Sequence, residues 1–197
     1  MATNLGSEMA GETSFRRVRL DDACMKEAAI LISSPTVISQ DEGCKFEIDA
    51  FVNSDLLEAA DEVVLTAGWD TQTIDGAVSL IKALRRQDKA VAVVGTAVFN
   101  DMTSLSMMLS RLEEPLAVFL YRNLRSKFLR VNALLEDEVM AIEGARYLDK
   151  LSLFCERAVQ KCNMLDADGR LPIWDASHLT MGGLDLYSKR IYQRGWF

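Results

Sequence analysis

The stretch Glu62-Val63-Val64-Leu65-Thr66-Ala67-Gly68, then Thr73 to Gln87, then Lys89-Ala90-Val91-Ala92-Val93-Val94-Gly95, decides the fold class. The first run is short, apolar and β-branched, and it stops at a glycine, the pattern of a strand buried on both faces. Between the runs, Ile74, Ala77, Val78, Ile81 and Leu84 follow the three-and-four spacing of an amphipathic helix, with Arg85 and Arg86 at its exit. Strand, helix and strand in that order form a right-handed crossover unit with parallel strands. The alternation continues from Ala60 onward. The expected fold is therefore α/β: a three-layer, flavodoxin-like parallel sheet with helices on both faces.

Working outward, Asn100 to Ser110 is rich in Met and Ser without a period and reads as a loop leading into a short helix. Pro115 can open a helix running through Leu120 to about Lys127, and a second helix is expected over Val131 to Ile142, ended by Gly144. Arg146 to Asp149 reads as a short strand, followed by a helical turn or two through Phe154. Asp166-Ala167-Asp168-Gly169 is a turn sequence. Thr180 is placed to cap the last helix, whose stripe is Leu184, Tyr187 and Ile191, with Lys189, Arg190 and Arg194 toward its C-terminus.

The 197 residues suffice for one domain with a substantial core, and the 49% hydrophobic and 26% charged content is that of an ordinary globular protein. A single domain over residues 1–197 is expected, with residues 1–14 a disordered tail. The formal charge of −7 argues against nucleic acid as a partner, because phosphate recognition needs a concentrated positive surface. The basic clusters at Arg16-Arg17-Val18-Arg19 and from Arg122 to Arg130 lack interleaved aromatics and read as solvated faces. No run is apolar enough to span a membrane and no export segment is present, so the expected location is cytoplasmic. Cys24, Cys44, Cys155 and Cys162 contain no C-x-x-C pair, which speaks against structural zinc; their number allows two disulfides, but in a reducing cytosol four free, largely buried thiols are expected. No metal or other cofactor is expected. Neither Gly-x-Gly-x-x-Gly nor Gly-x-x-x-x-Gly-Lys-Ser/Thr occurs, so a nucleotide-binding reading lacks a motif.

The chemistry concentrates at the only histidine, His178, in Trp174-Asp175-Ala176-Ser177-His178-Leu179-Thr180. An aspartate accepting a hydrogen bond from one ring nitrogen fixes the tautomer, so that the other nitrogen can take a proton from a nucleophile. Asp175 and His178 are therefore the candidate catalytic pair, with a solvated loop or helix cap as the structural alternative.

The segment from Tyr147 through Leu184 carries Tyr-Leu-Asp, Cys155, Cys162 and the run Asp168-Gly169-Arg170-Leu171-Pro172-Ile173-Trp174-Asp175-Ala176-Ser177-His178-Leu179-Thr180-Met181-Gly182-Gly183. It resembles the closing block of SGNH hydrolase-type domains, in particular those attached to membrane O-acetyltransferases that modify bacterial surface polysaccharides. The resemblance implies ester hydrolysis or O-acyl transfer on carbohydrate, with an acylated carbohydrate as partner. Ala67-Gly68-Trp69-Asp70 is similar to the family's loop with an oxyanion-hole donor. Asp70 stands where many members have asparagine, and an ionised carboxylate cannot donate; a helix N-cap is its structural alternative. Asn4-Leu5-Gly6 and Gly11-Glu12-Thr13 resemble the block that supplies a glycine N–H, which would make Gly11 a donor beside Gly68. The family's first block, a strand ending in Gly-Asp-Ser, has no counterpart here; Gly6-Ser7-Glu8 is the nearest string and makes Ser7 the candidate nucleophile. The expectation is a domain without its first strand, whose exposed sheet edge would invite a homodimer. The alternative function is an inactive remnant or binding module of the same fold. Relatives of this kind lie outside the cytoplasmic membrane, where pairing of Cys155 with Cys162 would be at home.

Overall fold

The computed structural model describes residues 20–21, 24–34, 42–99, 114–166, 168–173 and 178–196. In chain order the elements are α1 (Met25–Ser33), α2 (Glu42–Val52), α3 (Asp55–Ala59), β1 (Glu62–Thr66), α4 (Ile74–Arg86), β2 (Ala90–Val94), α5 (Leu116–Arg122), α6 (Ser126–Met140), β3 (Ala145–Leu148), a 3-10 turn (Lys150–Leu153), β4 (Cys155–Glu156), β5 (Lys161–Cys162) and α7 (Met181–Gln193). Contacts divide the chain into two compact units, one of residues 14–95 and 131–148, the other of residues 1–13, 96–130 and 149–197.

The first unit holds a parallel three-stranded sheet in the order β1-β2-β3, with Glu62 opposite Ala90, Thr66 opposite Val94 and Val94 opposite Leu148. The α/β class with parallel strands is the one the sequence pattern points to. Val91, Ala92 and Val93 have no exposed surface, so β2 is covered on both faces, which is why it shows no polar alternation. Ala77, Leu80, Ile81 and Leu84 of α4 are equally dry and pack with Met25, Ala28, Ala29 and Ile32 of α1 and with Val131, Leu135 and Val139 of α6. Burying each of the larger side chains contributes about 1.5–3 kcal/mol. A bidentate pair ties the two edge strands across β2, with Arg146 Nε 2.8 Å from Glu62 Oε1 and Nη2 2.9 Å from Oε2.

The second unit contains the antiparallel β4–β5 hairpin, α5, the 3-10 turn and α7. Asp149 caps the 3-10 turn by accepting from Leu151 N at 3.0 Å. Thr180 caps α7, as its position before the apolar stripe suggests.

Several expectations are corrected. The four cysteines are not free thiols: Cys24 is bonded to Cys44 and Cys155 to Cys162. The first pair joins the start of α1 to α2 and the second closes the β4–β5 hairpin, and neither proximity is visible in spacing alone. The helix opened by Pro115 stops at Arg122 rather than Lys127, and α6 starts at Ser126 rather than Val131. The interruption is tertiary: Leu124 bridges Phe99 in antiparallel fashion and Arg125 N donates to Val98 O at 3.1 Å. Helices α1 to α3 lie upstream of the alternation that begins at Ala60. The expected loop from Asn100 to Ser110 lies outside the described residues.

Candidate active site

The loop that carries His178 is built on a clamp. Ile173 and Leu179 form an antiparallel bridge, and Thr180 N donates to Pro172 O at 2.8 Å, so Pro172 and Ile173 are held against Leu179 and Thr180. One residue later the helix begins, with Thr180 Oγ1 accepting from Gly183 N at 3.0 Å and Leu184 N donating to Thr180 O at 2.9 Å. His178 is thus the residue immediately before a fixed bridge and a capped helix, and it is exposed. Gly183 is buried, and a β-carbon there would lie 2.7 Å from the carbonyl carbon of Pro172, so only glycine lets the helix seat this closely on the clamp. The turn before the clamp forms as its sequence predicts, with Asp166 Oδ1 accepting from Asp168 N at 3.0 Å and Arg170 N at 2.8 Å and with Gly169 at φ +74°.

A second set of candidates follows β1 in the sheet unit. Gly68 is exposed, and among the described residues, its chain neighbours aside, no atom lies within 4 Å of where its β-carbon would be. Next to it Trp69 is wholly buried, and its indole Nε1 donates to Val94 O at 2.7 Å, anchoring the loop to the carboxyl end of β2. The carboxyl ends of parallel strands are where α/β sheets bind ligands. Asp70 Oδ1 accepts from Gln72 N at 2.8 Å and Thr73 N at 3.0 Å, while Asp70 N donates to Thr73 Oγ1 at 3.0 Å. The carboxylate therefore closes the turn that precedes α4; the N-cap of that helix is Thr73, not Asp70 as the structural alternative had it.

Gly68 and Asp70 belong to one unit and His178 to the other. Asp175, Ser7 and Gly11 lie outside the described residues. Sequence reasoning valued Trp69 only through resemblance; its burial and indole bond give it an anchoring role that a lone tryptophan between two strands hints at but does not locate. It also passed over the carboxyl end of β2, where Gly95 is packed so closely against Tyr147 Oη that a β-carbon could not fit, with the buried Asn132 Oδ1 at 3.3 Å from that point. Among the described residues no group of three or more His, Cys, Asp or Glu side chains is placed to hold a metal ion. Among them, too, no helix is long and apolar enough to cross a membrane.

The parallel three-stranded sheet with its helices places the chain in the α/β class. Residues 20–193 match the family model of the SGNH domain fused to AT3 domains, and the chain belongs to that family. Among solved structures, the periplasmic domain of a lipopolysaccharide acetyltransferase from Salmonella ser. Paratyphi A is similar at a TM-score of 0.58 and 16% identity, over 82% of this chain and 67% of that one. A proposed platelet activating factor from Streptococcus pneumonia aligns at a TM-score of 0.44 and 12% identity, over 88% of this chain and 91% of that one. No curated protein sequence matches significantly.

Proposed function

We propose that the chain, as a single SGNH-like domain, acts on acylated carbohydrate by ester hydrolysis or O-acyl transfer, with His178 as general base and Asp175 orienting it. The observation that carries this reading is the clamp at Ile173 and Leu179 that presents exposed His178 within a family match over residues 20–193. In the reaction, an imidazole nitrogen takes the proton of the attacking hydroxyl as that oxygen bonds to the acyl carbon. The carbonyl electrons move to the oxygen, and the proton passes to the departing sugar oxygen as its bond to the acyl carbon breaks. Backbone N–H groups at Gly68 and Gly11 would stabilise the oxyanion, each such donor contributing on the order of 3 kcal/mol in an intact site. Asp70 would shape that loop by closing the turn before α4, its ionised carboxylate having no proton to donate. The attacking hydroxyl is that of Ser7 or one brought by another segment or chain.

Two disulfides favour an oxidising compartment over the cytoplasm. The solved neighbour, described as a periplasmic domain, agrees with that placement. Within the described sheet, β1 is an edge, and we place a homodimer contact there; a monodisperse monomer in sedimentation would remove it.

The experiment is hydrolysis of a short-chain aryl acetate by the folded chain and by His178→Ala and Ser7→Ala variants. Loss in the His178 variant supports the base, and loss in the Ser7 variant identifies the nucleophile. A folded parent with no activity above background overturns the enzymatic reading in favour of a binding module of the same fold.

A further inference from the structure

The second unit carries an open groove beside the disulfide-closed β4–β5 hairpin, with a volume of about 800 Å³. In a chain whose formal charge is −7, this groove is lined, among the described residues, by Arg157, Lys161, Arg190 and Arg194 and by a single carboxylate, Glu156. Arg190 and Arg194 are held by backbone carbonyls. Arg190 Nη1 donates to Leu153 O at 2.6 Å and to Asn163 O at 2.7 Å, and Arg194 Nη2 donates to Ser152 O at 3.1 Å. Carbonyls orient a guanidinium but leave its charge uncompensated, and Arg190 keeps donors at Nε and Nη2. Its guanidinium carbon also lies 5.6 Å from the centroid of the Phe154 ring, which stacks on Tyr187 at 5.9 Å. Among the described residues, Arg157 alone of the four has a carboxylate partner, Asp149 at 2.9 Å. Burial lowers the proton affinity of Arg190, so an arriving anion would offset a desolvation cost already present in the fold.

We propose that this groove binds an anionic stretch of saccharide, its carboxylate or phosphate groups meeting Lys161, Arg190 and Arg194. The ligand's charge follows from the groove; that it is a saccharide rests on the ester-processing reading given above. Arg190 lies ten residues beyond Thr180 along α7, which at 1.5 Å per residue is about 15 Å from the clamp. The groove therefore reads a part of the polymer remote from the reacting ester, the kind of contact whose binding energy can be used to position the reacting group.

The test is calorimetric titration of the full chain with a galacturonic acid tetramer, a phosphorylated tetrasaccharide and a neutral galactose tetramer, at low and raised salt. Saturable binding of at least one charged ligand is expected, about tenfold or more tighter than the neutral one and weakening with salt. Which charged ligand binds decides between carboxylate and phosphate. Lys161 and Arg194 are exposed, so Lys161→Glu and Arg194→Glu should fold; each is expected to weaken binding about fivefold, and the double variant to lose it. Equal binding of the neutral tetramer, unchanged binding by the double variant, equally tight binding of inorganic phosphate alone, or no binding by a folded parent would each overturn the proposal. If aryl acetate hydrolysis fails while charged saccharide binds, the ester-processing reading falls alone; if hydrolysis proceeds and no charged saccharide binds, the groove proposal falls alone.

Discussion

Replacing Gly183 with alanine tests the clamp beneath His178. The added β-carbon would lie 2.7 Å from the carbonyl carbon of Pro172, 2.9 Å from its α-carbon, and closer still to its carbonyl oxygen. Comfortable carbon contacts begin at about 3.5 Å, so the start of α7 must retreat by on the order of 1 Å. Backbone atoms, not a flexible side-chain tip, oppose the methyl, and the same Pro172 carbonyl accepts from Thr180 N. Overpacking costs about 1–3 kcal/mol. Weakening the Thr180 cap costs about 1 kcal/mol more. A destabilisation of about 2–4 kcal/mol corresponds to a fall in melting temperature of roughly 5–15 °C for a chain of this size. Thermal melts of the parent and Gly183→Ala read this directly, with Gly68→Ala as the control, because among the described residues, its chain neighbours aside, no atom lies within 4 Å of its β-carbon position. The control is expected to change stability by less than about 0.5 kcal/mol. Under the proposed chemistry, a shift of about 1 Å at the histidine loop also lowers hydrolysis by about a hundredfold. A Gly183→Ala protein that melts with the parent, or a Gly68→Ala protein that loses as much, would refute the reasoning.

Three further outcomes are expected. Without reductant no thiol should react with an alkylating agent in denaturant, and four should react after reduction; removing the Cys24–Cys44 link alone, across a separation of 20 residues, should cost about 3 kcal/mol in a denaturant titration. Trp69→Phe removes the donor to Val94 O and is expected to cost about 1–3 kcal/mol, measured by urea unfolding; an unchanged midpoint would remove the anchoring role. Burial pushes the Tyr187 phenol up to about 12 from 10.0, so between those values the folded state keeps a proton that the unfolded chain has released. Its contribution is complete below pH of about 10 and lost as pH rises through about 12, on the order of 2 kcal/mol. Lys150, lowered from 10.5 by burial, acts in the opposite sense, favouring the fold as pH rises toward that value. Tyr187→Phe should flatten the alkaline loss in unfolding titrations, and an identical loss in the variant would contradict the assignment.

The strand runs 62–67 and 89–95, the helix between them and the cap at Thr180 are legible in the sequence because local periodicity and capping chemistry suffice to specify them. So is the turn at Asp166 to Gly169, where an aspartate and a glycine satisfy the backbone within a few residues. The candidate histidine is legible too, since its neighbours Asp175, Leu179, Thr180 and Gly183 form one contiguous string. Long-range contacts are not legible. The break at Asn123 to Arg125 depends on Phe99 and Val98, and the role of Asp70 depends on which amides its carboxylate meets.

By itself, then, the sequence determined the α/β class, the parallel crossover around α4 and the position of the single imidazole, since all three are encoded in spacing along one segment. Only the tertiary structure decided that the four cysteines are two disulfides, that Trp69 anchors the Gly68 loop and that, among the described residues, four cations line one groove with a single carboxylate. Each of these depends on distances between residues far apart in the chain, which packing sets and local periodicity does not carry.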